Sequence, residues 1–277
     1  MSTLHLHPFA GDHAIQNVAF AIEWTQSLTN EQLQSIKSIH SQLLPFFEKV
    51  AEAKAITINL SAANDLAPIA SNSSDLGGIQ FIGKLMSFPP GQPSQLIQAS
   101  RENCSIIIND YSRWNQVWEN VEKWINLIKN SIPSIGVKSV SLQYTDALHW
   151  RNDPKLLNIS DVFSKNTVYL PSHVFSSRSL WHVHQGFFSD ESIIGSNRRL
   201  LENINISHVE NNSQRTFIIV TSHKAILDSP IWDSGEFSMT IKEIMPILHN
   251  RNKNILTNIL SEEVCSKINL KSSEAKL

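Results

Sequence analysis

The chain has 277 residues, of which 41% are hydrophobic and 17% are charged, and this balance excludes a largely disordered protein. Twenty-three Lys and Arg against 25 Asp and Glu give a formal net charge of −2. The composition therefore provides no net basic surface for nucleic acid or for an anionic membrane. The length suffices for one large domain or two small ones.

The first predicted elements are a strand and a helix. Apolar side chains alternate over residues 15–24, which predicts a half-buried strand. A helix is predicted over about residues 30–50, because Thr29 and Gln32 form a capping box and apolar residues recur on one face. The Ser-, Asn-, Ala- and Gly-rich residues 61–78 are interpreted as a loop.

Three strand-like runs and a second helix come next. The runs cover residues 79–89, 95–101 and 103–109 and are separated by short turns. A helix is predicted over residues 112–131, where tryptophans and aliphatic residues form one apolar stripe. Trp118 lies on this stripe, so we expect it in the core.

The C-terminal part of the chain repeats this order. Strands are predicted over residues 139–150, 177–188, 199–210 and 214–224. A long helix is predicted over residues 240–268, because Thr240 and Glu243 form a second capping box ahead of a periodic apolar run. Residues 151–175, between the first two of these strands, are expected to be irregular.

This order of elements predicts an α+β fold. Antiparallel sheet is built from two three-strand meanders, each followed by a packed helix, with a long C-terminal helix. Residues 15–270 are expected to form a single α+β domain, in which 15–150 and 176–270 are candidates for two repeated halves. Residues 1–14 are expected to be a frayed N-terminal segment, and residues 271–277 a tail.

His182 and His184 are the sharpest candidates for chemistry. Residues two apart on a strand point to the same side, so both imidazoles can bind one metal ion. A third ligand would come from a neighbouring strand, where His208, His223 and Glu210 are the candidates. The alternative, which we favour, is a polar strand face whose ring nitrogens hydrogen-bond to neighbours, because no Cys pair and no HExxH motif supports a metal.

The other motifs are weaker. Residues 78–85 approach a phosphate-binding loop, but Leu85 replaces the Ser or Thr that would hold magnesium. With no nucleophile signature and only nine Gly, the sequence predicts no catalytic residue and no cofactor. Cys104 and Cys265 form no CxxC motif, which is typical of a protein of the reducing cytoplasm, and no apolar run is long enough to span a membrane.

Several short strings of residues, each present once, follow one another in a characteristic order along nearly the whole chain. LIQASRENCSIIINDYSRW at residues 96–114 is followed by SLQYTDAL at 141–148, SLWHVHQGFF at 179–188 and TSHKAIL at 221–227. In this order and spacing they resemble a sporadically distributed, uncharacterised bacterial protein family with no established activity. The resemblance implies a patchy distribution, which is typical of mobile or accessory genes with defence or toxin-neutralising roles.

Two functions follow as hypotheses. The first is a cytoplasmic, non-enzymatic protein that binds another protein, as an accessory, defence or toxin-neutralising factor. It has no nucleic-acid or membrane partner, and homo-oligomer formation is left open. The second is a metal- or small-ligand-binding protein, or an enzyme, that uses His182 and His184 on the concave face of the sheet.

Overall fold

The structure, a computed structural model, describes residues 2–59, 69–189, 193–195, 197–211 and 214–270. Over these residues the chain has an α+β fold with a large antiparallel sheet and several helices, which confirms the predicted fold class. The chain divides into two compact units, each assembled from separate stretches of sequence. The predicted tail at 271–277 and residues 61–68 of the predicted loop lie outside the described residues.

The strands of the described residues are β1 (Leu6–Pro8), β2 (Ile15–Trp24), β3 (Lys49–Asn59), β4 (Ile69–Ile82), β5 (Gln95–Ser100), β6 (Asn103–Ile108), β7 (Val137–Trp150), β8 (Trp181–Ser189), β9 (Arg198–Asn211) and β10 (Gln214–Ile231). The helices are α1 (Asn30–Ser38), α2 (His40–Leu43), α3 (Trp114–Ser131), α4 (Ile159–Val162), α5 (Ser234–Ile259) and α6 (Glu262–Lys267). Short 3₁₀ turns cover Ser2–His5, Pro154–Leu156 and Ser172–Ser176. Within this part of the chain, every helix is too short or too polar to cross a bilayer.

Unit 2 comprises Phe20–Ser139 and Ser229–Met239. Its strands lie in the order β3-β4-β5-β6-β2, and the pairs β3–β4, β4–β5 and β5–β6 are antiparallel. The predicted meander followed by a helix is therefore present, with β3 as one further strand and α3 as the helix. Phe47 and Trp124 anchor the core of this unit, with ring centroids 4.9 Å apart in an edge contact.

Two predicted boundaries in unit 2 are wrong. The helix predicted over residues 30–50 is shorter, because α1 ends at Ser38, α2 adds a single turn, and β3 begins at Lys49. Pro45 has no N–H donor, so it cannot continue the hydrogen-bond pattern of α2, which ends at Leu43. Residues 69–78, predicted as loop, belong to β4, where pairing with β3 satisfies the backbone despite the polar composition.

The tryptophan stripe of α3 is only partly in the core. Trp124 is buried, whereas Trp114 and Trp118 are half-buried, which corrects the expectation for Trp118. The rings of Trp114 and Trp118 stack on each other with centroids 5.8 Å apart, and each lies 5.9 Å from Phe20. The stack is at the border of the core, so that part of each ring stays in contact with solvent.

Unit 1 comprises Met1–Ala19, Val140–Asp228 and Thr240–Leu277. Its strands lie in the order β7-β10-β9-β8, and β1 pairs antiparallel with β7. The antiparallel meander β8-β9-β10 is followed by α5, as predicted. Aliphatic residues of α5 and aromatic residues of the strands and loops, Phe163 and Phe217 among them, form one buried cluster.

The N-terminal segment differs from the expectation of a frayed end. Leu6 lies opposite Trp150 in the β1–β7 pair and is fully buried, so burial of apolar surface fixes this segment to unit 1. The unit boundaries also differ from the predicted halves 15–150 and 176–270, because β7 and β10 each contribute residues to both units.

The predicted C-terminal helix is two helices. It begins at Ser234, because Oδ1 of Asp233 accepts the N–H of Glu236 at 2.8 Å and caps the first turn. The predicted capping box at Thr240 is therefore wrong, and Glu243 instead forms an ion pair with Arg198 at 2.8 Å. α5 ends at Ile259, and α6 follows Ser261, whose hydroxyl caps it.

Candidate ligand-binding site

His182 and His184 lie on the exposed face of β8, on the same side as their spacing predicts. His182 pairs in register with Ser207 of β9, and its Nδ1 lies 2.9 Å from the Ser207 hydroxyl oxygen. His184 pairs with Asn205. This arrangement is the polar strand face that the sequence offers as the alternative to a metal site.

The other candidate ligands lie on the opposite, buried face. His208 is opposite Trp181 and His223 is opposite Glu202, and all four residues point away from the side of His182. His208 lies six positions along β9 from Glu202, the residue opposite His223, which at about 3.3 Å per residue puts the two histidines roughly 20 Å apart. A metal site combining His182 and His184 with either of them is therefore wrong.

Glu210, the remaining candidate ligand, accepts a hydrogen bond from Nε of Arg215 at 2.9 Å. Within the described parts of the chain, His, Cys, Asp and Glu form no group of three that is close enough to hold a metal ion. The phosphate-loop reading of residues 78–85 is also wrong, because residues 78–82 continue strand β4 and no helix follows them.

His208 has an unusual environment for a histidine. Only 2% of its surface is exposed, and its ring stacks on Phe217 with centroids 4.7 Å apart. Among the described residues, neither ring nitrogen has a hydrogen-bond partner, and the indole N–H of the adjacent Trp181 has none either. Such buried polar atoms without partners are rare, because each costs about 1–3 kcal/mol of desolvation.

The imidazole of His208 is neutral around pH 7. Burial lowers its pKa to about 4, and the charge of Arg215 acts in the same direction. The Ser179 carbonyl and the Glu210 carboxylate oppose this shift and are outweighed. A group with so low a pKa is a poor base at neutral pH.

A cleft of about 710 Å³ opens next to His208 in unit 1. Its lining residues are Pro154, Lys155, Leu157, Asn158, Ile159, Phe175, Ser176, Ser177, Arg178, His208 and Arg215. Three of these are cationic and none is an Asp or Glu, whereas four are apolar or aromatic. This combination of apolar walls and a few convergent polar groups is typical of a small-molecule site.

Short capped turns shape the wall of the cleft. Asp153 accepts the N–H of Lys155 at 2.9 Å and starts the turn Pro154–Leu156. Asn158 accepts the N–H of Ser160 at 3.1 Å and starts α4. These local side-chain caps give fixed positions to residues that have no regular strand or helix to hold them.

The cations of the cleft differ in their partners. Arg215 is already paired with Glu210, whereas Lys155 and Arg178 are exposed and make no ion pair within the described residues. Lys155 and Arg178 therefore give the opening of the cleft a net positive charge, and their donors are available to a carboxylate or phosphate.

A second polar cluster lies under α5 in unit 1. Glu202 is fully buried, and its carboxylate pairs with Nδ1 of His223. Nε of Arg251 donates to Oε1 of Glu202 at 2.6 Å. The Ser189 hydroxyl also donates to Glu202 at 3.0 Å, and Nε2 of His223 lies 3.3 Å from Oδ1 of Asn252. This network satisfies its own members.

Comparisons with known proteins identify no relative: no family model matches the chain, and no curated protein matches it. The resemblance to the uncharacterised bacterial family thus stays a prediction. The assignment of a function rests on the cleft and the residues that line it.

Proposed function

We propose that unit 1 binds a small molecule that carries an acidic group, and that the binding site is the cleft beside His208. One observation carries the proposal: a cleft of about 710 Å³ is lined by three cations and four apolar or aromatic residues, and none of its lining residues is an Asp or Glu.

The role proposed is binding rather than a reaction. The hydroxyl groups of Ser176 and Ser177 donate to the carbonyls of His173 and Ser179, so neither is paired with a base. This proposal keeps the small-ligand hypothesis drawn from the sequence and moves its site from His182 and His184 to the cleft beside His208.

Substitution of Arg178 tests this function. We expect Arg178→Gln to weaken the binding of phenyl phosphate by roughly 10–100-fold, because a hydrogen bond to a charged group contributes about 1.5–3 kcal/mol. Isothermal titration calorimetry with purified protein measures the change. Arg113→Gln is the matched control, since Arg113 is an exposed arginine of unit 2 outside the cleft. The affinity of this variant for phenyl phosphate should stay within about twofold of wild type.

Two results contradict the proposal. One is the absence of measurable binding of both phenyl phosphate and benzoate to the wild-type protein. The other is equal binding by the wild-type protein and Arg178→Gln, which would place the anion elsewhere on the surface.

Binding of a partner protein is the second candidate function. The segment between β4 and β5 in unit 2 exposes 55% of Leu85 and 71% of Phe88, and exposed apolar side chains that lie close together mark interaction sites. This supports the protein-binding hypothesis without naming the partner, and an accessory or defence role stays part of that hypothesis.

The double change Leu85→Ser/Phe88→Ser tests the second candidate. We expect it to leave the melting temperature within about 2 °C of wild type, because exposed side chains contribute little to stability. A partner captured by tagged wild-type protein should be lost with the variant and should bind again when both proteins are purified and mixed. Equal capture by both forms contradicts this role for the segment.

A further inference from the structure

Strand β8 is the last strand of the sheet in unit 1, and among the described residues it has a neighbouring strand on one side only. All nine of its residues, Trp181–Ser189, pair antiparallel with β9. Every second residue of such a strand points its N–H and C=O groups away from the neighbour. Within the described chain, no backbone–backbone hydrogen bond joins β8 to a segment other than β9. This edge of the sheet therefore offers a row of donors and acceptors to one further strand.

β8 lacks the features that usually prevent such pairing, which are charged residues, proline, a bulge or a short strand. Its sequence WHVHQGFFS contains no Lys, Arg, Asp, Glu or Pro, and its pairing with β9 runs without a register shift. By contrast, β3, the terminal strand of unit 2, carries Lys49, Glu52 and Lys54. Glu52 also accepts hydrogen bonds from Gln34 and Lys37 of α1, at 3.2 and 2.7 Å. Of the two terminal strands, β8 is therefore the one open to pairing.

The side chains of β8 are complementary to those of a second β8. A two-fold axis at Gln185 places the two strands antiparallel and brings every residue of each strand into the pair. Gly186 then lies opposite His184 of the second copy, and its missing side chain leaves room for the imidazole. Phe188, which is 59% exposed, lies opposite His182 of the second copy, and cross-strand aromatic pairs are favourable. Because β8 contains no Lys, Arg, Asp or Glu, no permanent like charges face each other across the axis.

We propose that two copies of this chain associate through β8 and form one continuous antiparallel sheet from unit 1 of each copy. At about 3.3 Å per residue the paired strands are roughly 30 Å long. They exchange about eight to ten backbone hydrogen bonds, two for every second pair of residues. The residues that line the cleft beside His208 include none from β8, so this interface is a separate surface and does not depend on the proposed function.

Sedimentation velocity of the purified full chain, from micromolar to submillimolar concentration, tests the association. We expect wild-type protein to change from one chain to two as the concentration rises. In His184→Lys two ammonium groups lie diagonally across the two-fold axis, so the affinity of the dimer should fall about tenfold or more. Gln42→Lys is the control, because it adds the same charge to an exposed residue of α2 in unit 2. The dimer affinity of this control should stay within about twofold of wild type.

Hydrogen exchange locates the interface within the dimer. The outward N–H groups of β8 become hydrogen-bonded on association, so amides of Trp181–Ser189 should exchange more slowly at high protein concentration than at low concentration. Exchange in α3 of unit 2 should be the same at both concentrations. A circular dichroism spectrum of His184→Lys equal to that of wild type excludes misfolding as the cause of lost association.

Three results contradict the β8 interface. Wild-type protein that stays a single chain over the whole concentration range overturns it, and protected β8 amides in that monomer would show that another segment of the same chain occupies the edge. A dimer whose β8 amides are unprotected places the contact elsewhere, as does a dimer that His184→Lys leaves unchanged. Each of these results leaves anion binding in the cleft standing.

Discussion

Replacement of Glu202 by alanine is expected to lower the free energy of unfolding by about 3–5 kcal/mol. Glu202 is fully buried and is the common partner of His223, Arg251 and Ser189. Its removal leaves the Arg251 guanidinium, which is 21% exposed, without its partner, and leaves two further polar groups unsatisfied. Urea unfolding followed by fluorescence measures the loss.

Glu243→Ala is the matched control for this prediction. Glu243 also forms an ion pair with an arginine, Arg198, through two hydrogen bonds, but its side chain is 58% exposed. Solvent screens such a pair, so the free energy of unfolding of Glu243→Ala should fall by only about 1 kcal/mol. Equal costs for the two variants would show that the Glu202 network contributes no more than a surface ion pair.

The Glu202 network also makes the free energy of unfolding depend on pH. Burial by itself would raise the pKa of Glu202, but the hydrogen bonds and charges of His223 and Arg251 outweigh burial and lower it. The folded state therefore holds the ionised carboxylate more strongly than the unfolded state does. This contribution is present above the usual pKa of 4.5 and is lost as the pH falls through the lower folded-state pKa.

Asp146 gives the stability a pH dependence opposite in sign to that of Glu202, and Asp146→Asn should remove it. Asp146 lies on the buried face of β7, it is 3% exposed, and its Oδ2 has no hydrogen-bond partner among the described residues. Burial raises its pKa from 3.8 to about 7. Between these two values the folded state keeps a proton that the unfolded state has lost, so stability falls as the pH rises.

The size of this effect follows from the shift. Raising the pKa from 3.8 to about 7 corresponds to about 4 kcal/mol of stability, which is present below pH 3.8 and absent above pH 7. The free energy of unfolding of Asp146→Asn relative to wild type should therefore rise by about 4 kcal/mol between pH 3 and pH 8. Parallel urea titrations of both proteins measure the difference, and a difference independent of pH contradicts the account of Asp146.

The sequence was sufficient for the elements whose apolar pattern is strong. Alternation predicts β2 and the two meanders, and an apolar stripe of helical period predicts α3, because one face of each element is buried. The apolar pattern did not predict all of β4, because polar residues take part in the pairing of that strand. It also did not decide between two competing starts of the C-terminal helix. Asp233 caps α5 before Thr240 can, and nothing in the local pattern ranks one cap above the other.

The candidate site was less predictable than the fold. The spacing of His182 and His184 places them correctly on one side of β8, but His208 shares its face of β9 with Ile204 and Ile206. A comparison of each histidine with the apolar residues two positions away would have separated the two faces. The sequence could not predict that Lys155, Arg178 and Arg215 line one cleft, because only the tertiary fold brings these distant stretches together.

The ring nitrogens of His208 provide the most direct test of ligand binding in the cleft. In a histidine ¹⁵N NMR spectrum they are assigned by their absence from the spectrum of His208→Phe. Saturating phenyl phosphate, or benzoate where calorimetry shows that benzoate binds, is expected to shift the resonances of His208 and to leave those of His40 in unit 2 unchanged. Unchanged His208 resonances with a bound ligand would show that the cleft beside His208 is not the binding site.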